Sequence, residues 1–176
     1  VQTLMLRLLC RRVHLIAVSD AILASAAVLG GLSAQRIYNG VTVRDEVVSQ
    51  GDARKALGLD PSATIVLSVA RLAAEKGLNF LAAAATNIPA SVFIVGDGPE
   101  RQNLSKYNAL QLVGHVSDPW LWYCAADVVA VPSLTEGLGL SAIEALATGC
   151  PVIASDVGGL PEVISDDYLG TCVPAG

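Results

Sequence analysis

Short apolar runs recur along this chain, each bounded by turn residues, and within a run the residues are continuously apolar instead of alternating with polar ones. Strands buried on both faces of a sheet show this pattern. The runs are Val13–Val18, Thr64–Ala70, Ser91–Val95, Leu110–Val113, Asp127–Val131, Val152–Ala154 and Leu169–Val173. Helix-compatible stretches lie between most of them, at Gly77–Thr86, Pro99–Tyr107, Pro119–Ala125, Gly139–Thr148 and Leu160–Ile164. Strands that alternate with helices over short links predict an α/β fold, a parallel sheet with helices on both faces.

A polar, glycine-containing segment, Thr42–Pro61, interrupts this alternation of apolar strands and helices. We interpret it as a linker that includes a short amphipathic helix. Residues 1–41 would then belong to a different unit, and one strand with two helices is too little to form a domain alone. The sequence therefore predicts three parts: residues 1–41, a linker over 42–61, and the main α/β unit over 62–176.

The apolar stretch Val13–Leu32 raises the question of a membrane span or a signal peptide. Asp20 lies near its middle, where burial in a bilayer costs about 2.5–3.5 kcal/mol. A strand, His14–Val18, followed by a helix with Ser19 as its N-cap and Asp20 in its first turn, accounts for the same residues without that cost. We therefore expect a soluble α/β segment here.

The composition limits the classes of function that this chain can have. Charged residues make up only 15% of the chain, and the formal net charge is −5. This acidity, with no cationic cluster larger than Arg11-Arg12, excludes a nucleic-acid-binding surface. The four cysteines form no C-x-x-C motif, which predicts free thiols and a cytoplasmic location. With only two histidines, His14 and His115, no metal site is expected.

Most of the unusual polar residues come directly after a predicted strand. In an open parallel sheet, ligands bind where loops leave the carboxyl ends of the strands. Arg71 follows the strand Thr64–Ala70, and Lys76 comes five residues later. Either cation taken alone is typical of a solvated loop. As a pair at one strand end, in a cation-poor chain, they favour a diphosphate clamp, with Arg supplying a planar fork and Lys a point charge.

The stretch from Glu136 to Glu144 says most about the chemistry. Gly137 and Gly139 precede a predicted helix and would leave N–H groups free at its start, where the helix dipole favours an anion. Glu144 lies within the first two turns of that helix among apolar residues, so we expect it to face the cleft and not solvent. Glu136 can turn inward from the loop. N–H groups for an anion, with two carboxylates for hydroxyls, indicate a site for a sugar nucleotide.

Two further motifs are weaker. Gly96-x-Gly98 lacks the third glycine of a dinucleotide-binding fingerprint, so a tight turn with Pro99 opening a helix explains most of it. Gly98 could still let the backbone approach a ligand. His115 could act as a base, although a histidine in such a loop is more often a polar turn residue. The sequence contains no nucleophile elbow, phosphate loop or Asp-x-Asp pair, so a divalent ion bridging close carboxylates and a diphosphate is not expected.

Taken together, the motifs resemble the GT4-type (group 1) glycosyltransferases of GT-B fold, specifically their C-terminal nucleotide-sugar-binding domain, from about Val13 to Gly176. The matching pieces, in order, are Ala17-Val18-Ser19, Asn39-Gly40-Val41, Ser68 to Leu72, Glu75-Lys76-Gly77, Val95 to Glu100, Gly114-His115-Val116, Ala126-Asp127, Pro132-Ser133, Glu136 to Glu144, Gly149 to Ala154 and Gly158 to Glu162. The resemblance implies a Rossmann-like domain over 62–176, the C-terminal half of a GT-B fold. Residues 1–41 would be the end of the N-terminal acceptor domain.

The resemblance also implies roles for the residues. Arg71 and Lys76 would hold the donor diphosphate and stabilise charge on the departing nucleotide. Glu136 would contact the transferred sugar or its phosphate, together with the backbone of the next four residues, Gly137, Leu138, Gly139 and Leu140. Glu144 would accept hydrogen bonds from the ribose hydroxyls.

The implied reaction is transfer of a sugar from a nucleoside-diphosphate sugar, a UDP or GDP sugar, with retention at the anomeric carbon and without a metal or other cofactor. Main chain near His115 and Val116 would line the base. The acceptor, a sugar, a lipid-linked group or a small molecule, would bind through an N-terminal domain of which this chain lacks most. Peripheral association of the full-length protein with a membrane is left open.

The chain departs from the family pattern at several points. Leu138 stands where Phe is usual, and Thr42 replaces the Asp that commonly follows Asn-Gly-Val. The C-terminal helices that normally cross back over the other domain are missing, so the chain alone is expected to have little activity. Two alternatives stay open: a non-catalytic nucleotide-sugar-binding module or subunit, and a sugar-nucleotide epimerase of the same fold, which would need acid/base carboxylates and histidines in the cleft.

Overall fold

The computed structural model describes residues 14–27, 34–45 and 48–176. In chain order the elements are β1 (Leu15–Ala17), α1 (Asp20–Ala27), β2 (Ala34–Arg36), α2 (Gln50–Leu57), β3 (Ile65–Val69), α3 (Leu78–Ala85), β4 (Ser91–Val95), α4 (Arg101–Leu104), β5 (Leu110–Gly114), α5 (Trp120–Ala125), β6 (Val128–Val131), α6 (Leu140–Ala147), β7 (Val152–Ser155), α7 (Leu160–Val163) and β8 (Gly170–Val173). A short 3₁₀ turn, Ala74–Lys76, lies between β3 and α3.

Strands β3 to β8 form one six-stranded sheet in the order β5-β4-β3-β6-β7-β8, and every neighbouring pair is parallel. The chain winds from β3 towards one edge and from β6 towards the other. The carboxyl ends of β3 and β6 therefore flank the point where the winding reverses, which is where open α/β sheets form a ligand crevice. The predicted α/β fold with a parallel sheet is confirmed.

Two apolar clusters cover the two faces of this sheet. Leu67 and Val129 point into one cluster, which α5, α6 and α7 close. Val66 and Ile94 point into the other, which α3 and α4 close. Because successive residues of a strand face opposite sides, a strand with a core on both sides is apolar at most positions. This explains the unbroken apolar runs of the sequence.

Helix α4 is shorter than predicted. The sequence indicated a helix over Pro99–Tyr107 with Pro99 at its first position, whereas α4 spans only Arg101–Leu104. The backbone N–H of Glu100 donates to the carbonyl of Leu72 at 2.9 Å. This tertiary bond ties the segment to the loop after β3, so the chain turns there before the helix can begin.

Helix α2, inside the predicted linker, is anchored to the main unit. The Ser49 hydroxyl accepts from the Asp52 N–H at 3.1 Å, and Gly58, with φ 67°, ends the helix. Arg54 is only 5% exposed and donates to the Ala125 carbonyl at 3.0 Å and to Asp127 at 2.8 Å. The helix thus packs against α5. The proposed boundaries at 41/42 and 61/62 stay predictions.

The N-terminal segment forms a separate two-stranded parallel sheet in which β1 pairs with β2. The Ser19 hydroxyl accepts from the Ile22 N–H at 3.2 Å, which confirms Ser19 as the N-cap of α1. The predicted first strand residue, Val13, lies outside the described residues. Within the ranges that the structure describes, no helix has both the length and the apolar character needed to cross a membrane.

Candidate functional site

A cavity of about 340 Å³ lies between the loops that follow β3 and β6. It brings together seven of the predicted site residues: Arg71, Lys76, Glu136, Gly137, Leu138, Gly139 and Leu140. They come from two segments about sixty residues apart and meet because β3 and β6 are neighbours in the sheet. The predicted convergence at the carboxyl ends of the strands is therefore observed for these residues.

Gly77 lets the two loops approach each other. Its φ is 60°, and a methyl group placed on it would lie 2.0 Å from the carbonyl oxygen of Pro132. The N–H of Leu134 also donates to the carbonyl of Glu75 at 2.8 Å. Since only glycine fits this left-handed position at such close range, the backbone beside Lys76 is locked onto the β6 loop.

Lys76 and Glu136 form an ion pair across the cavity, with Nζ and Oε2 2.7 Å apart. The same Oε2 accepts from the Ser133 hydroxyl at 3.0 Å, and Oε1 accepts from the Gly137 N–H at 3.2 Å. Both charged side chains are mostly buried, with 23% and 15% of their areas exposed. The carboxylate of Glu136 is thus held by three donors from two loops, an arrangement that fixes its position.

Arg71 lies at the rim of the same cavity in a different setting. Its side chain is 65% exposed and forms an ion pair with Glu75, four residues along the chain. The two predicted cations therefore share one cavity but not one environment. Arg71 is free to swing, because an exposed local ion pair contributes little free energy.

Helix α6 points its N-terminus at the cavity. Gly139 precedes it with φ 94°, and a methyl group there would lie 2.5 Å from Leu160. Among the described residues, no protein acceptor lies on the N–H groups of Leu140 and Ser141. These groups and the helix dipole make the cavity wall electropositive. Leu138, 4% exposed, anchors the loop in the core.

Glu144 lies in a second cavity of about 490 Å³, which Leu140 shares with the first. The Tyr123 hydroxyl donates to its Oε2 at 2.7 Å. Burial, with help from that hydrogen bond, raises the pKa of Tyr123, so the phenol stays a neutral donor. Glu144 is half-buried and not exposed, but it lines this second cavity and not the cavity at the N-terminus of α6, where the sequence placed it. The remaining acceptor capacity of its carboxylate is available to hydroxyl groups in the cavity.

The linker supplies another wall of the second cavity. Arg44 pairs with Asp118 at 2.6 Å and stacks over the ring of Trp120, 4.9 Å from the ring centroid. The hydrogen bond from Arg44, reinforced by one from the Trp120 N–H, lowers the pKa of Asp118. The residues Gly40 to Arg44 are thereby fastened to the loop after β5.

His115 and Val116 are the first two residues of that loop, and neither lines the two cavities. His115 is exposed, and Val116 is half-buried against the core. Gly98 also lies outside both cavities. A methyl group on it would lie 2.4 Å from the Leu72 carbonyl oxygen. Its lack of a side chain serves packing against the Arg71 loop.

Several residues of the cavities were not predicted from the sequence: Val18, Asn39, Ser133, Tyr123 and Arg44. Val18, Asn39 and Ser133 belong to short matching pieces of the family pattern, which signalled them without a role. Tyr123 and Arg44 carry no motif. Their position depends on how α5 and the linker pack.

A larger cavity, of about 590 Å³, lies elsewhere among the described residues, between α3 and α4. Its walls include Leu78, Phe80, Leu104 and Tyr107, and it holds none of the predicted site residues. Size alone would favour it, but converging charges and free helix N–H groups distinguish the two smaller cavities. We therefore assign the functional site to the crevice between β3 and β6.

The fold and this crevice define a doubly wound nucleotide-binding type of domain, and comparison with known proteins identifies its class. The family model described as "Glycosyl transferases group 1" matches residues 49–176. The chain is 37% identical over 139 residues to the D-inositol 3-phosphate glycosyltransferase of Mycobacterium sp. (strain JLS), which covers 70% of this chain and 32% of that protein. The chain belongs to the group 1 glycosyl transferase family.

Solved structures agree with this assignment. Sucrose-phosphate synthase from Thermosynechococcus elongatus superposes with a TM-score of 0.82 at 29% identity, covering 98% of this chain and 48% of that one. HepE of Anabaena, in complex with UDP-glucose, superposes with a TM-score of 0.83 at 26% identity, covering 98% and 53%. The predicted likeness to the C-terminal half of a GT-B fold is confirmed. The chain spans about a third of the length of the curated relatives it matches.

Proposed function

We propose that this chain is the donor-binding half of a glycosyltransferase, which takes a sugar from a nucleoside-diphosphate sugar, retains its anomeric configuration and needs no metal. One observation carries the proposal: two cavities meet at Leu140, one with cations and helix N–H groups, the other with a carboxylate ready for hydroxyls. A nucleoside-diphosphate sugar has charge at its centre and hydroxyls on both sides, so it matches this sequence of groups.

The first cavity would hold the diphosphate. Lys76 already lies inside it, and Arg71 can reach it from the rim by leaving Glu75. The free N–H groups at the start of α6 add a third positive element. As the bond to the sugar breaks, negative charge develops on the departing phosphate, and groups fixed in advance stabilise such charge best. Lys76 meets this condition through its locked backbone.

The carboxylates would hold hydroxyls rather than transfer protons. Glu136 is bound by Lys76, Ser133 and the Gly137 N–H, so it is a fixed acceptor beside the place of the sugar. Glu144 would accept from the ribose in the second cavity, with Tyr123 orienting it. His115 lies in neither cavity, which weighs against the epimerase alternative.

The positive groups at the first cavity support metal independence. Within the described residues, no three His, Cys, Asp or Glu side chains lie together so that they could hold a metal ion. Arg71, Lys76 and the α6 N-terminus would neutralise the diphosphate instead. The cytoplasmic location expected from the cysteines stays a prediction.

Isothermal titration calorimetry with UDP-, GDP- and ADP-glucose tests the binding proposal on this chain. We expect saturable binding of at least one, weakened by Glu144→Gln, because an amide accepts fewer hydrogen bonds from a ribose. Glu100→Gln, a carboxylate outside both cavities, serves as the control and should bind like the wild type. No binding of any of the three donors would contradict the proposal.

Testing retention and metal independence requires a protein that also carries an acceptor domain. With an α-linked donor we expect an α-linked product in the proton NMR spectrum, and an unchanged rate after EDTA treatment. A β-linked product would contradict retention, and a rate restored only by added divalent ions would contradict metal independence.

A second candidate, a subunit that needs a separately encoded acceptor-binding chain, is favoured by one observation. The N-terminal sheet exposes Ile16, Ile37 and Tyr38, large side chains that a partner could cover. Activity that appears only when a second polypeptide is added would identify this arrangement. Binding of the donor to the chain alone is expected in both cases.

A further inference from the structure

The carboxylate of Glu162, near the start of α7, caps a helix that lies 142 residues earlier in the chain. Its Oε2 accepts from the Asp20 N–H at 2.9 Å and its Oε1 from the Ala21 N–H at 3.0 Å. These are the first two N–H groups of α1, and the Ser19 hydroxyl takes the third, from Ile22. The opening N–H groups of a helix have no partner within it, so they depend on such acceptors.

The same carboxylate also binds the chain just after β2, the strand that follows α1. The Tyr38 hydroxyl donates to Glu162 Oε2 at 2.9 Å. Arg36 pairs with Asp20 and stacks on the Tyr38 ring, 4.4 Å from its centroid. One side chain of the main unit therefore binds both the start of α1 and the residue two positions after β2.

Glu162 is ionised at neutral pH in this setting. Partial desolvation by itself would raise its pKa, but the N–H groups of Asp20 and Ala21, the Tyr38 hydroxyl and the nearby Arg36 together lower the pKa of the carboxyl below its usual range. A carboxylate can accept all three hydrogen bonds at once, whereas a neutral amide in the same place cannot.

The residues that Glu162 contacts are next to residues that line the first cavity, between the loops after β3 and β6, which we call the donor cavity. Val18, which directly precedes the N-cap Ser19, lines that cavity, as does Asn39, which follows Tyr38. A methyl group on Gly137 would lie 3.4 Å from the Val18 side chain, so the N-terminal segment and the α6 loop are in contact there.

The glycines before α7 complete the joint. A methyl group on Gly158 would lie 1.8 Å from the Glu136 carbonyl oxygen, and one on Gly159 would lie 2.7 Å from both the Gly137 carbonyl oxygen and the Ser19 Cβ. The backbone of the segment Gly158–Glu162 thus contacts the loop before α6, and the Glu162 carboxylate contacts the N-terminal segment.

We propose that Glu162 is a positioning residue of the donor site: it holds the start of α1 and Tyr38 so that Val18 and Asn39 form the wall facing Gly137. The role rests on the proposed function, because the ligand of that wall would be the sugar of a nucleotide sugar. The nucleoside side has its own tether, the Arg44–Asp118 pair with Trp120. Loss of Glu162 should therefore affect the sugar more than the nucleotide.

Amide hydrogen exchange, followed by NMR on the ligand-free chain, tests the cap itself. In Glu162→Ala we expect the amides of Asp20 and Ala21 to exchange about fivefold faster or more, in line with a helix cap. The matched control Glu100→Ala should leave both amides unchanged. Unchanged exchange of Asp20 and Ala21 in Glu162→Ala would overturn the proposal, and this result does not depend on any nucleotide binding.

Calorimetry tests the effect on the donor site by comparing a nucleotide sugar with the bare nucleotide, for example UDP-glucose with UDP. In Glu162→Ala we expect about fivefold weaker binding of the nucleotide sugar and less than a twofold change for the nucleotide. Glu162→Asp, which keeps the charge, should recover part of the loss, and Tyr38→Phe should show a smaller loss of the same kind.

Equal weakening of both ligands would overturn the positioning role, since it would indicate a general structural defect. If Glu162→Ala fails to fold, Glu162→Gln and Tyr38→Phe carry the same comparison. A wild-type chain that binds no nucleotide sugar would overturn the proposed function, and the donor-site role with it, while the amide exchange would still decide whether Glu162 caps α1.

Discussion

The two cations of the donor cavity, Lys76 and Arg71, each pair with a carboxylate, but the two pairs have different surroundings. Lys76 and Glu136 come from loops sixty residues apart, are mostly buried and are joined by Ser133 and the Gly137 N–H. Arg71 and Glu75 are four residues apart, with 65% and 40% of their side-chain areas exposed. A buried, shared pair fixes its members in place, whereas an exposed local pair breaks at little cost. We infer that Lys76 is the fixed element of the site and Arg71 its mobile one.

Lys76→Ala should have the largest effect on donor binding. A hydrogen bond to a charged group contributes roughly 1.5–3 kcal/mol, so affinity for a nucleoside diphosphate should fall roughly 10- to 100-fold. The substitution also leaves Glu136 without its cation, which adds repulsion to the phosphates. Calorimetry with UDP measures the loss. Lys106→Ala, in the cavity between α3 and α4, is the control. A loss below threefold would mean that Lys76 only supports Glu136.

Arg71→Ala should weaken the same ligand less, by roughly threefold to tenfold, because Arg71 must first leave Glu75 and lose the freedom of an exposed side chain. Its contribution should also fall with added salt, since exposed charges are screened. Titrations at about 50 and 500 mM salt measure both effects. If Arg71→Ala costs more than Lys76→Ala, the assignment of fixed and mobile cations is reversed.

Ser133→Ala should produce a smaller loss, about threefold, for a nucleotide sugar. Ser133 is buried and donates to Glu136, so its removal leaves that carboxylate with two donors and more freedom to rotate. Binding of the bare nucleotide should hardly change, because Lys76 remains. Calorimetry with UDP-glucose and UDP separates the two results. A loss shared equally by both ligands would place Ser133 in general packing of the loop.

Glu75→Gln should have the smallest effect and the opposite sign. Removing the local partner of Arg71 frees the guanidinium for phosphate, and an exposed pair of this spacing is worth about 0.3–0.5 kcal/mol, which corresponds to about twofold tighter binding. The gain should vanish in the Arg71→Ala background, which a double-mutant cycle measures. Weaker binding instead would show that Glu75 orients Arg71 towards the ligand.

Much of the fold was predictable because its signals are local. Apolar runs such as Ser91–Val95 mark strands that must be covered on both faces, and the observed strand has the same bounds. The lone Asp20 in an apolar stretch, with Ser19 before it, indicated a helix start, which the structure confirms. The start of helix α4 was predicted too early, because a tertiary bond from Glu100 to Leu72 holds the chain just before Arg101, and no periodicity reports such a bond.

The sequence predicted which residues form the candidate site better than it predicted the contacts among them. Placing Arg71, Lys76 and Glu136 at strand ends was enough to expect them near one another, since parallel strands share an edge. Which cation Glu136 binds depends on the lock between Gly77 and Pro132, a contact between distant segments. Gly98 illustrates the opposite case: its motif suggested a ligand, while its neighbour is the Leu72 carbonyl.

The sequence by itself determined the type and order of the elements, and the residues able to bind a phosphate or a hydroxyl. Both follow from spacing along the chain and from side-chain chemistry, which need no knowledge of distant neighbours. Only the tertiary structure decided that β3 lies beside β6, that Lys76 binds Glu136 while Arg71 binds Glu75, and that Glu162 caps α1. Those outcomes depend on which surfaces pack together, because hydrogen bonds and ion pairs act over a few ångströms in space, whatever the distance along the chain.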